Sequence, residues 1–137
     1  MVDAKEYLAK IEFNRIAIAN KQAEKKYWLE MAEGMAANVS GERVQSSGDP
    51  HKMESKVIEA VLIDQEIERL KAEILGVISM IERLKPLEYQ FLHLVYVQGK
   101  RVKEVTAELG KSDSWSVRTH KKAIENLQEL LDGESQG

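Results

Sequence analysis

No cysteine occurs anywhere in the 137 residues, so neither a disulfide nor a thiolate metal site is available to this chain. Proline is nearly as scarce: only Pro50 and Pro86 occur, and the long intervals they leave hold nothing that forbids an uninterrupted helix. Histidine is limited to His51, His93 and His120, no two of them spaced for one helical face, so no metal site and no cofactor is expected. No apolar run approaches the roughly 20 residues needed to cross a bilayer, and the opening MVDAKEYLAKIEF lacks the apolar stretch of a signal peptide. These absences point away from a membrane partner and toward a cytoplasmic location. A Ser-His-acid or Cys-His set, a Gly-rich phosphate loop and a pair of clefted carboxylates are also missing, so an enzyme is the class least supported.

What is present is helical patterning, in a chain that is 43% hydrophobic and 31% charged. Ala60, Ile63, Ile67, Leu70, Ile74, Val77, Ile81 and Leu84 recur in unbroken steps of three and four, the seam of a coiled coil. Asp3 with Glu6 predicts a capped first helix from Asp3 to about Ala37, and Asp49-Pro50 the start of a second running to about Lys85. Leu8, Ile11, Ile18 and Leu29 can face that seam, so matched lengths predict an antiparallel hairpin over residues 1–85, closed by a polar loop at 38–50. Exchange of helices between two chains would give the same periodicity.

Apolar residues are left over from such a hairpin, namely Phe13, Ile16, Tyr27 and Met31 on the first helix and Ile58, Leu62, Leu75 and Ile78 on the second. A homodimer closing a four-helix bundle would cover them, with Ile63, Ile67, Leu70, Ile74, Ile78 and Ile81 as the oligomerisation seam. Gly76 inside the second helix suggests close helix approach or, less favoured, a flexible point, and Trp28 suggests hairpin or dimer core. The loop NVSGERVQSSGDP reads either as a hairpin tip or as a contact site through Arg43, Gln45, Ser46 and Ser47.

Residues 86–132 read as a separate three-helix domain, followed by a flexible tail at 133–137. Pro86 suits a first helical turn, and Leu87, Phe91, Leu94 and Val95 give that helix an apolar face until Gly99 stops it. Arg101 opens a second helix with Val102, Val105, Ala107 and Leu109 inward, ended by Gly110 in the place of a left-handed cap. Ser112 or Ser114 can cap a third, in which Val117, Ala123 or Ile124, Leu127 and Leu130 or Leu131 fall at helical spacing. Two helices joined by so short a Gly-containing turn form a helix-turn-helix, whose second helix enters the major groove of double-stranded DNA.

The net charge is −3, but its distribution is more informative than its sum. From Lys111 to Lys122 four cations stand against Asp113 alone, with His120 able to add to them. The candidate DNA-binding residues are Lys111, Ser112, Ser114, Trp115, Ser116, Arg118, Thr119, Lys121 and Lys122. Arg118 suits a bidentate contact to guanine, the lysines suit phosphates, and Trp115 either stacks on a nucleotide or packs the turn against Tyr96 or Leu109.

The stretch LEYQFLHLVYVQGKRVKEVTAELGKSDSWSVRTHKKAIENLQEL resembles region 4 of sigma-70-type factors: an apolar helix, Gly, a helix ending Leu-Gly, a Ser-rich turn, and a helix ending Ala-x-x-x-Leu. Its turn, Lys111 to Ser116, is one residue longer than that pattern's spacing to the inward Val, here Val117. With the middle segment GERVQSSGDPHKM and two long flanking helices, the whole chain is similar to a family of small phage and prophage proteins related to phage late-gene transcriptional regulators. The resemblance implies a regulator in the cytoplasm of a bacterial host, acting at promoters and in contact with RNA polymerase. The alternative expectation is an interaction protein that binds polymerase or a host factor through its hairpin without reading DNA.

Overall fold

Every regular element among the described residues is helical. The computed structural model describes residues 2–41 and 50–136, in the helices α1 (Ala4–Gly41), α2 (Pro50–Ile81), α3 (Pro86–Leu92), α4 (Val102–Leu109) and α5 (Asp113–Gln136), with a π-helical stretch, His93–Val97, continuing α3. No helix among the described residues is long and apolar enough to cross a membrane. The chain divides into two compact units, Met1–Arg15 with Ala72–Gly137, and Ile16–Lys71.

That division does not fall at residue 85. Ala4, Leu8 and Ile11 from α1 and Val77 and Ile81 from α2 share one core with Phe91, Leu92, Leu94, Val105, Ala123, Leu127 and Leu131. Full burial of each large side chain there contributes roughly 1.5–3 kcal/mol, so the start of α1 and the end of α2 belong to the C-terminal helices energetically as well as spatially. The start of α1 is also tied by hydrogen bonds. Asp3 Oδ2 accepts from the Glu6 N–H at 3.1 Å as the expected cap, the Ala4 N–H donates to Gln128 Oε1 at 2.8 Å, and Gln128 Nε2 donates to the Val2 carbonyl at 2.7 Å.

Within the unit Ile16–Lys71, α1 and α2 run antiparallel: Lys25 pairs with Asp64 at 2.8 Å, and Lys56 lies 4.6 Å above the Trp28 ring. Of the residues expected to form the oligomerisation seam, Ile63, Ile67 and Leu70 are buried inside this pair, and Ile81 is buried in the other unit. Ile74 and Ile78 are partly buried. Ile16, Tyr27, Met31, Ile58 and Leu62 are exposed, as expected of residues outside a two-helix seam, and so are Phe13 and Leu75.

Boundaries differ from expectation for identifiable reasons. α1 continues through Gly41, four residues past the expected end at Ala37, while Arg43, Gln45, Ser46 and Ser47 lie outside the described residues. α2 ends at Ile81 rather than Lys85, with Arg83 and Leu84 N–H groups turning back to the Met80 and Ile81 carbonyls at 3.1 and 3.0 Å. Pro86 demands this, because it forces Lys85 into an extended conformation, φ −61° and ψ 148°. Gly76 has nothing within 4 Å of the position of a Cβ, so it does not mark close helix approach. The expected tail is helical through Gln136, and Glu134 pairs with Arg83 at 2.6 Å.

Candidate nucleic-acid interface

The turn between α4 and α5 fixes everything that α5 presents. Gly110 adopts the left-handed conformation, φ 67°, and its N–H and that of Lys111 donate to the Ala107 and Thr106 carbonyls at 3.2 and 3.0 Å. These two bonds make a Schellman cap, which reverses the chain within the three residues Gly110, Lys111 and Ser112. Ser112, rather than Ser114, then caps α5: its hydroxyl accepts from the Trp115 N–H at 3.1 Å.

Capping at Ser112 sets the helical phase. Ser116 is 1% exposed, and with Ala123, Leu127 and Leu131 it forms the buried line of α5. The Thr106 hydroxyl donates to the Val102 carbonyl at 2.8 Å, so the single hydrogen shared across the 2.5 Å contact between Thr106 and Ser116 comes from Ser116. That contact closes the crossing of α4 on α5. Ser116 is therefore withdrawn from any DNA contact, a correction to its expected place among the binding residues. Val117, expected inward, is instead 68% exposed. The inward position is one residue earlier than Val117, and it is polar.

The same phase assigns the outer face. At about 100° per residue, the side opposite Ser116, Ala123 and Leu127 is carried by Ser114, Arg118, Lys121 and Glu125, all exposed. Val117 and Ile124 form one flank and Trp115, Thr119 and Lys122 the other. Lys111 and Ser112 sit on the turn and are exposed. Among the described residues, Lys111, Arg118, Lys121 and Lys122 form no ion pair, whereas Lys25, Arg83 and Lys100 do.

On the Trp115 flank, Lys85, Pro86, Leu87, Glu88, Trp115, Arg118, Thr119 and Lys122 line an open groove of about 690 Å³. The Trp115 ring meets Phe91 edge-on at 6.1 Å, and Lys111 Nζ lies 5.4 Å from its centroid. Leu87, expected in the apolar face of α3, is 46% exposed on this groove. Glu88 is buried nearby, both its oxygens accepting from Asn126 Nδ2 at 2.9 and 3.0 Å, which locks α3 to α5. Lys85 and Leu87 also line this groove, and the local sign of it is Pro86, which holds Lys85 extended.

His120 does not add to the positive charge. It is half-buried between Phe91 and Tyr96, with Nε2 2.8 Å from the Tyr96 hydroxyl, and burial followed by the charge of Lys5 lowers its pKa below the ordinary value. The π-helical stretch is the element that carries Tyr96, with the Gln98 N–H bonded to the His93 carbonyl five residues back at 2.9 Å. The α4 face is similarly revised: Val105 and Thr106 point inward, while Val102 and Ala107 are exposed. Among the described residues no cluster of His, Asp and Glu could hold a metal ion. No family model matches the chain, and neither a curated protein nor a solved structure matches it.

Proposed function

We propose that this protein is a sequence-specific DNA-binding regulator that uses α4, the Gly110–Ser112 turn and α5 as a helix-turn-helix, with the first turns of α5 in the major groove. The observation that carries this reading is the outward face of α5. Ser114, Arg118, Lys121 and Glu125 stand opposite its buried line, and the helix's cations Arg118, Lys121 and Lys122 are free of ion pairs among the described residues. A guanidinium held free near the start of a groove-entering helix can make a bidentate contact to guanine. Lys111, Lys121 and Lys122 are placed to neutralise phosphates without reading sequence.

So few phosphate contacts give modest affinity per chain, so the reading includes a homodimer that doubles them. Ile16, Tyr27, Met31, Ile58 and Leu62 are among the exposed apolar residues of the unit Ile16–Lys71 that a second copy would cover. The same residues favour the second reading, in which the hairpin docks a polymerase subunit or host factor and α5 reads nothing.

Titration of a preferred duplex and of scrambled duplexes separates the two. Arg118→Ala is expected to cost about 1–3 kcal/mol on the preferred duplex and little on the others, flattening the preference. Lys121→Ala is expected to weaken all of them alike and reduce the salt slope by about 1. Parental binding by both variants would remove α5 from the groove.

A further inference from the structure

We infer that Val117 is a specificity-determining residue that reads the methyl group of a thymine; the inference rests on the assignment of α5 to the major groove. Val117, the fifth residue after the Ser112 cap, is 68% exposed, because Ser116 takes the inward place at the crossing with α4. It lies on the flank of α5 that it shares with Ile124, next to the outward-facing Ser114 and Lys121. Its other neighbour is Val102, the first residue of α4, which is also exposed. Together with Lys5, Ser116, His120, Lys121, Ile124 and Glu125 they line a groove of about 410 Å³.

The polar groups on the floor of that groove are already engaged: Ser116 with Thr106, and His120 with Tyr96. What it offers a ligand is therefore an apolar wall of Val102, Val117 and Ile124 with the ammonium groups of Lys5 and Lys121 at its rim. Base edges in the major groove present hydrogen-bonding groups in every pair, but only thymine presents an apolar one, its C5-methyl. A β-branched side chain on a helix holds one χ1 rotamer strongly, so Val117 meets that methyl without loss of further side-chain freedom. Lys121, one turn on, supplies the charge that brings a phosphate close, and Glu125, a turn further, repels phosphate and bounds the contact at that end.

The test replaces each thymine of a duplex selected by the parent protein with deoxyuridine, one at a time, and measures affinity for parent and Val117→Ala. Val117 is exposed, so its truncation leaves the core intact, which circular dichroism and thermal unfolding check. One thymine is expected to matter: deoxyuridine there weakens the parent about fourfold, the worth of one buried methyl group. Val117→Ala should lose a similar factor on the thymine duplex and be indifferent to the replacement at that position. Equal parental affinity for all uridine duplexes, a selected site without thymine near the contact, or unchanged discrimination by Val117→Ala overturns the inference while leaving DNA reading intact. Failure of the parent to select any duplex removes the reading itself and the inference with it.

Discussion

Ser116 and Val117 are adjacent in the chain and opposite in role. A hydrophobicity pattern puts the valine inside, since apolar residues at helical spacing are the usual sign of a core. The structure buries the serine because the Ser112 cap fixes the phase of α5, and because the crossing with α4 offers the Thr106 hydroxyl as a partner. Ser116→Ala is expected to cost about 1 kcal/mol in chemical denaturation, and Thr106→Val about 1–3 kcal/mol because it leaves the Ser116 hydroxyl buried without its acceptor. The double variant should cost less than the sum of the two, the coupling that a shared hydrogen bond produces. His120 makes a second residue-scale prediction. The folded chain holds it below its ordinary value near 6.5, so between those two values the unfolded chain binds more proton. Stability is then complete above about pH 6.5 and declines as pH falls toward the folded value. His120→Gln should flatten that decline in melting temperatures measured from pH 7.5 to 5, and an unchanged profile would contradict the assignment.

At the scale of elements, the parts legible in the sequence are those set by local chemistry. Asp3, Pro50, Pro86, Gly110 and Ser112 each mark a helix end through a cap, a fixed φ or a left-handed turn, and each does so in the structure. The parts not legible depend on long-range packing. Nothing local announces the π-helical stretch at His93–Val97, nor that Leu8 and Ile11 share a core with Phe91 and Leu127. Heptad spacing likewise identifies buried residues but not whether the same chain or a second one covers them. Two glycines separate the local effects cleanly. Gly110→Ala places a Cβ at φ 67° and is expected to destabilise by roughly 1–2 kcal/mol. Gly76→Ala meets open space inside α2 and is expected to stabilise by about 0.5–1 kcal/mol. Thermal unfolding of both variants checks the opposite signs.

For the whole molecule, the proposed regulator pairs through the unit Ile16–Lys71 and reads DNA through α5 of the other unit. Sedimentation equilibrium is expected to show a dimer for the parent and a monomer for Ile58→Glu/Leu62→Glu, with helicity retained in both, since those side chains are exposed in the single chain. The monomeric variant should bind DNA more weakly and with a shallower salt dependence, because each chain contributes its own phosphate contacts. The central claim, that α5 reads base sequence, is tested most directly by selecting bound duplexes from a random-sequence pool with the parent protein and with Arg118→Ala. Enrichment of one motif by the parent, degraded at a guanine position by Arg118→Ala, is the predicted result; no enrichment, or the same motif from both proteins, would contradict it.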